Sequence, residues 1–281
     1  MTISGNTKVY SVIGNPIAHS KSPNMHNAAF RELKINACYI PIAPSKDEVE
    51  NICSLIKSSV IKGSNVTIPY KEEIMKYVDE LTDEAKLIGS VNTLYSKNNK
   101  LIGHNTDGLG FSRSLFVDNK FNPENKKSLI MGAGGASKAI CSKLSSNRIS
   151  QIDIFDIDKE KADELKRHLQ QFNFDVKINI IDNKEVDKIA ENSDLIVNCT
   201  PVGMKEEDPE LINSDFFNSN QFIYDLIYTP SKTRLLKDAE IKGAKIINGL
   251  DMLAYQGAES FAIWENVNPP YEIMSKELRI G

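Results

Sequence analysis

The sequence predicts an α/β protein of two domains, the second built on a doubly wound parallel sheet, with a C-terminal helix that returns to the first. Three observations predict it. Apolar strand-like runs alternate with helical stretches along most of the chain. At 281 residues the chain is long for one core and comfortable for two. In its middle, the apolar run Lys127 to Met131 enters Gly132-Ala133-Gly134-Gly135-Ala136-Ser137, and a helical stretch follows over 138–144.

The elements of the first half read in order. Lys8 to Ile13 is a strand that stops at Gly14. Ser22 to Lys34 is a helix, with Pro23 suited to its first turn. Ala37 to Ile42 is a strand, Ser45 to Ser58 a helix, and Gly63 to Thr67 a strand cut off by Pro69. Lys71 to Tyr77 and Asp83 to Ile88 read as short helices. Val91 to Ser96 and Lys100 to Gly103 form a hairpin through Asn98-Asn99. Asp107 to Asp118 is a helix leading out, and polar residues 118–127 mark the boundary region.

In the second half, strands are predicted at Ser128 to Met131, Gln151 to Phe155, Val176 to Ile180, Asp194 to Asn198, Phe222 to Asp225 and Lys245 to Ile247. Helices between them imply a parallel sheet covered on both faces. Residues 205–220 are polar and read as a lid or a weakly ordered loop. Leu250 to Val267 is a last long helix, followed by a tail. The expected division is 1–108 with 251–281 for the first domain and 109–250 for the second.

The glycine turn gives the second domain its chemistry. Strand, glycine turn, helix, and a second strand ending at Asp156, about 20 residues on, describe a Rossmann-like dinucleotide site. The glycines let the backbone approach a pyrophosphate, and the helix N-terminus stabilises its charge. Ser137 stands where the usual fingerprint has a third glycine.

Composition excludes other classes. A net charge of −4 without a basic block disfavours nucleic acid or anionic membrane as partner. There is no run near membrane-span length and no signal-peptide pattern, so a cytoplasmic protein is expected. Cys38, Cys53, Cys141 and Cys199 form no Cys-x-x-Cys pair and read as reduced thiols. The histidines lack ligand spacing, so no metal is expected; His19, His26 and His104 read as turn or packing residues and His168 as solvated.

Polar residues gather at strand ends, where ligands of open α/β sheets sit. Ser20 and Ser22 flank a turn that opens a helix, which suits a carboxylate, although Ser22 also reads as a simple N-cap. Asn65 and Thr67 share one face of an extended segment, and Lys71 is placed at a helix start, where its charge opposes the dipole. Asn92 lies at the entry to the hairpin. Asp107 lies beyond its exit, as a helix cap or beside Lys71. Gln256, on an otherwise apolar helix face, either finds a buried partner or faces a cleft.

Taken together, these segments resemble the shikimate dehydrogenases of the shikimate/quinate dehydrogenase superfamily. The resemblance runs from Gly14-Asn15-Pro16 and Ser20-Lys21-Ser22-Pro23, through Asn65-Val66-Thr67-Ile68-Pro69, Lys71, Val91-Asn92-Thr93 and Asn105-Thr106-Asp107-Gly108. It continues through Asn198-Cys199-Thr200-Pro201-Val202-Gly203-Met204 to Gly249, Met252 and Gln256. It implies a substrate domain and a nucleotide domain with a cleft between them. It implies Lys71 and Asp107 as the catalytic pair, and Ser20 and Ser22 on the substrate carboxylate. Asn65, Thr67, Asn92, Tyr228 and Gln256 would meet the hydroxyls and the carbonyl edge. Gly132, Ala133, Gly134, Gly135, Ala136, Asp156, Thr200, Gly249 and Met252 would hold the cofactor. The implied reaction is NAD(P)-dependent reduction of 3-dehydroshikimate to shikimate, on the route to aromatic amino acids, by a monomer or homodimer.

Such chemistry asks for an ammonium that stabilises and protonates a developing alkoxide, with a carboxylate to orient it. One departure bears on the cofactor. NADP-using relatives commonly carry Asn-Arg-Thr where this chain has Asp156-Ile157-Asp158. Asp156 suits a ribose diol and repels a 2′-phosphate, which favours NAD over NADP, while Lys159 and Lys161 are placed to rescue NADP. The alternatives are an NAD-linked quinate/shikimate dehydrogenase and a non-catalytic nucleotide sensor. Ser22 fits the shikimate type, since quinate-favouring relatives often have Thr there, and a sensor would have lost Lys71 or Asp107.

Overall fold

Two six-stranded sheets organise the chain in the computed structural model, which describes residues 3–280. One unit runs to Phe111 and resumes at Leu253; the other spans Ser112–Met252.

The first unit contains β1 (Lys8–Ile13), α1 (Ser22–Glu32), β2 (Ala37–Ile42), α2 (Val49–Lys57), β3 (Gly63–Val66), β4 (Glu80–Leu81), α3 (Asp83–Ile88), β5 (Thr93–Lys97) and β6 (Lys100–His104), with α4 (Asp107–Ser112) at its exit. Its sheet order is β2-β1-β3-β5-β6-β4. The β2, β1 and β3 strands are parallel, while β5 runs antiparallel to both β3 and β6. The reversal comes from the tight turn at Asn98 (φ 53°) and Asn99 (φ 59°), both in the left-handed region that a two-residue hairpin demands. Ile13, Ile56, Val66, Ile74 and Leu94 pack one core.

Three details depart from the sequence reading. Lys71 does not begin a helix: it lies in a turn, and only a 3-10 turn over Glu73–Lys76 follows. The charged run around it buries Ile74 alone, too little apolar contact to propagate an α-helix. The helix expected over 45–58 starts as a 3-10 turn closed by a Ser45/Glu48 capping box before becoming α2. The helix from Asp107 changes to π geometry over Arg113–Asp118.

The second unit contains β7 (Lys127–Met131), α5 (Gly135–Ser146), β8 (Gln151–Phe155), α6 (Lys159–Gln170), β9 (Lys177–Ile180), α7 (Val186–Glu191), β10 (Leu195–Asn198), β11 (Phe222–Asp225), α8 (Arg234–Ile241) and β12 (Lys245–Asn248). All pairings are parallel, in the order β12-β11-β10-β7-β8-β9. Continuous apolar runs form these strands because helices cover both faces. The order reverses between β7 and β10, the switch point where such sheets bind nucleotides. Within residues 205–220, Ile212 and Phe217 are buried in this unit's core.

Helix α9 (Leu250–Glu265) leaves the second unit at Met252 and continues into the first. The expected tail is a further helix, α10 (Tyr271–Ile280), packed on α1. The end of α9 is fixed by Glu265, which pairs with Lys8 at 2.7 Å and accepts from Tyr10 of β1.

Candidate active site

Lys71 and Asp107 meet although 36 positions separate them. The Lys71 ammonium donates to Asp107 Oδ2 at 2.6 Å. The Lys71 side chain is 16% exposed and that of Asp107 6%. A buried ion pair is a poor stability device, because desolvation offsets most of the attraction. Its retention points to use. The loop after β3 places Lys71, and the end of β6 places Asp107 at the start of α4. Asp107 does not spend its carboxylate capping that helix. Its backbone N–H donates to Asn105 Oδ1 at 2.9 Å, and its side chain turns to Lys71 and Asn92.

Asn92 holds the other carboxylate oxygen, donating from Nδ2 to Asp107 Oδ1 at 2.9 Å. The same amide reaches Thr106 Oγ1 at 2.9 Å and Gln256 Oε1 at 3.2 Å. Its own Oδ1 accepts from the Thr106 backbone N–H at 2.8 Å. Gln256 thus finds a partner on a strand end of the same unit. Asn65 lies behind this group. It donates to the Asn92 carbonyl at 3.1 Å and to Ser260 Oγ at 2.9 Å, and it accepts from Tyr39 OH at 2.7 Å.

Ser20 and Thr67 are half-buried and Ser22 is buried. The N-cap position of α1 falls on Lys21 without a side-chain cap, so Ser22 is not the cap it resembled in sequence. Instead Ser20 Oγ accepts from the Ser22 backbone N–H at 3.3 Å. The first turn of α1 carries no acid, and its dipole faces anions unopposed from within the helix.

In the second unit, Gly132 (φ +96°) turns the chain where a Cβ would stand 3.1 Å from Thr200 Cγ2. Gly134 opens onto space with nothing within 4 Å of a Cβ there. Gly135 and Ala136 then begin α5, whose first turn has no carboxylate. A bare turn leading into such a helix fits a pyrophosphate. Asp156 is tied to this turn: Oδ2 accepts from the Ala133 N–H at 2.7 Å and Oδ1 from the Asp158 N–H at 2.8 Å. Lys159 pairs with Asp182, and Lys161 lies 3.8 Å from Asp158.

The loop after β10 is internally braced. Thr200 Oγ1 donates to Asn198 Oδ1 at 2.7 Å, and Asn198 Nδ2 reaches Asp225 Oδ1 at 3.1 Å. Burial pushes the Asp225 carboxyl up to about 6, against the donors Thr233, Ile227 and Asn198. Gly249 passes so close to the chain that a Cβ would lie 2.1 Å from the Leu226 carbonyl. Met252 is buried at the start of α9. Tyr228 lies in the loop after β11 and belongs to this unit, whereas the other residues expected around the substrate belong to the first. Burial pushes the Cys199 thiol up to about 12, which suits an inert thiol. Among the described residues, no group of three or more His, Cys, Asp or Glu gathers as a metal site, and no helix is long and apolar enough to cross a membrane.

Sequence reasoning passed over Ser260 and Tyr39 as site-forming groups and gave Thr93 and Thr106, which lie in its motifs, no role of their own. Ser260 was detectable in principle: it lies one helical turn after Gln256, on the same face of α9.

An all-parallel doubly wound sheet with a glycine turn, in one chain with a mixed sheet that holds a buried lysine–carboxylate pair, defines a two-unit dehydrogenase of the dinucleotide-binding class. Comparison with known proteins agrees. The family model for the shikimate dehydrogenase substrate binding domain matches residues 12–94, that for shikimate / quinate 5-dehydrogenase residues 116–207, and that for the shikimate 5′-dehydrogenase C-terminal domain residues 249–279. A shikimate dehydrogenase (NADP(+)) of Methanopyrus kandleri is 39% identical over 98% of this chain and 96% of its own. The shikimate 5-dehydrogenase of Listeria monocytogenes, solved with shikimate and NAD, superposes with a TM-score of 0.89 at 34% identity, covering 99% of this chain and 98% of its own. That of Thermus thermophilus, solved with NADP(H) and shikimate, gives 0.85 at 28% identity, over 98% and 99%. The chain belongs to the shikimate dehydrogenase family.

Proposed function

We propose that this protein catalyses the reversible, nicotinamide-dependent reduction of 3-dehydroshikimate to shikimate. The observation that carries the proposal is the buried Lys71–Asp107 pair at 2.6 Å. When bound, a nicotinamide dinucleotide supplies the reducing equivalent. The chain's residues bind, orient and move the proton. Lys71 protonates the ketone oxygen as charge develops on it, and in the reverse direction takes the proton from the hydroxyl. Asp107 orients the ammonium, and Asn92 orients Asp107. Ser20 and Ser22, with the α1 N-terminus, bind the carboxylate. Thr67, Asn92, Gln256 and Tyr228 meet the ring oxygens, and Asn65 takes part through the network it shares with Asn92.

For the cofactor, Gly132 to Ala136 cradle the pyrophosphate, and Thr200, Gly249 and Met252 line the remainder of the site. We assign NAD(H) as the preferred form. Asp156 is fixed beside the glycine turn yet keeps lone pairs for a ribose diol. A 2′-phosphate there would meet Asp156 and Asp158, and the nearby lysines are already paired with Asp182 and Asp158. The experiment is turnover efficiency with NAD and NADP on shikimate and on quinate. The reading predicts shikimate over quinate, and NAD over NADP by about tenfold or more, a difference of about 1.4 kcal/mol. Absence of shikimate oxidation with either dinucleotide would refute the activity; NADP preference would refute the cofactor assignment alone.

A further inference from the structure

Four side chains link Tyr39 to Asp107 in one buried line, and amide and carboxylate chemistry fixes the direction of most hydrogen bonds in it. The Thr106 backbone N–H can only donate, so the Asn92 atom that meets it is Oδ1. Asn92 Nδ2 therefore faces the Asp107 carboxylate, which only accepts. Thr93 Oγ1 lies 2.8 Å from Asn92 Oδ1 and must donate there. Having given its proton, Thr93 can only accept from Ser260 Oγ at 2.8 Å, a shorter contact for the Ser260 proton than the Gln256 carbonyl at 3.0 Å. Ser260 in turn accepts from Asn65 Nδ2 at 2.9 Å. The Asn65 amide is fixed because its Nδ2 also meets the Asn92 carbonyl at 3.1 Å. Its Oδ1 is left to accept from Tyr39 OH at 2.7 Å. With the Ser260 proton on Thr93, the donors point toward Asp107, an arrangement in which each bond polarises the next.

We propose that Ser260 is a positioning residue for the reaction, acting through Thr93 and Asn92 on the Lys71–Asp107 pair. The inference rests on the role assigned to that pair above. Ser260 is fully buried and stands at the junction of the network: Asn65 of β3, Thr93 of β5 and Thr106 after β6 all reach its one oxygen, the last at 3.3 Å. From α9, the Gln256 side-chain oxygen one turn earlier accepts from Asn92, and the Gln256 backbone carbonyl lies 3.0 Å from Ser260 Oγ as a second acceptor for its proton. Loss of the Ser260 hydroxyl takes from Thr93 its contact at 2.8 Å and from Asn65 its contact at 2.9 Å, leaving the Thr93 oxygen the weaker contacts at 3.4 Å to Asn65 and 3.5 Å to Thr106. Thr93 and Asn92 then relax away from the geometry that holds Asp107.

The test is steady-state kinetics of the full chain with shikimate and nicotinamide dinucleotide. Wild-type turnover of shikimate comes first, since its absence would sink the assigned function rather than this inference. With an active wild type, Ser260→Ala lowers kcat about tenfold while the dinucleotide KM stays within about twofold. Ser260→Thr, which keeps the hydroxyl, restores most of the rate. In an Asn92→Ala background, Ser260→Ala costs nothing further, because its route to Asp107 is already cut. If Ser260→Ala does not fold, Tyr39→Phe carries the test from the far end of the line. It keeps the ring stacked on His26 and lowers kcat about threefold. Unchanged kcat in a folded Ser260→Ala protein, or in Tyr39→Phe where that substitutes for it, overturns the proposal. So does a loss that adds in full to that of Asn92→Ala.

Discussion

Asp156 Oδ2 accepts a hydrogen bond from the backbone N–H of Ala133 at 2.7 Å, so the acid at the end of β8 is fastened to the glycine turn at the end of β7. The carboxylate proposed to select the ribose is thereby held still by the backbone proposed to cradle the pyrophosphate. Most of its ordering occurs on folding rather than on binding.

Removing that charge shifts the cofactor preference. Asp156→Asn keeps an oxygen for the Ala133 N–H while abolishing the repulsion of a 2′-phosphate. Ile157, 94% exposed beside it, is free to be replaced. The double variant Asp156→Asn/Ile157→Arg gains NADP efficiency and loses NAD efficiency, moving their ratio by about a hundredfold, or about 2.7 kcal/mol. Initial rates with each dinucleotide check this, and an unmoved ratio would remove Asp156 from the selection.

Gly249 is required by space. A methyl group there meets the Leu226 carbonyl oxygen at 2.1 Å and its carbon at 2.7 Å, backbone atoms that cannot swing aside as a side chain would. Gly249→Ala destabilises the fold by about 3 kcal/mol, read as a lower midpoint in denaturant. Gly134→Ala, facing open space, leaves the midpoint nearly unchanged.

His26 makes the first unit acid-sensitive. Burial between Tyr39 and Phe261 pushes its imidazole down from 6.5 to about 3. Below pH 6.5 the unfolded chain takes up a proton that the folded chain refuses, so stability falls as pH drops toward 3. From neutral pH to about pH 4.5 the loss amounts to about 3 kcal/mol. His26→Phe keeps an aromatic ring in the stack and flattens this dependence, which denaturant unfolding at both pH values measures. An equal slope in wild type and variant would contradict it.

Much of this was legible in the sequence, for identifiable reasons. The strands announced themselves because Gly, Pro and Asn punctuate short apolar runs, and Asn98-Asn99 announced the hairpin turn through its backbone preference. Helix α10 was missed because only Met274, Ser275 and Leu278 are buried on it, too few to show a period behind Pro269-Pro270. Lys71 was found for a partly wrong reason: no helix dipole stands behind it, and its significance comes from Asp107, which only the fold brings near. Ser260 carried only its one-turn spacing from Gln256 as a signal, since its partners come from three distant segments that only the fold brings together. The bond from Ala133 to Asp156 likewise depends on register between β7 and β8, which residue types do not encode.

The most direct test of the central claim is the behaviour of Lys71→Ala with shikimate and nicotinamide dinucleotide, measured as shikimate affinity and as single-turnover rate of the bound complex. The account predicts that shikimate still binds within a few-fold of wild type, while the rate of the bound complex falls about a thousandfold. Weakened binding together with a near-wild-type rate once shikimate is bound would contradict it.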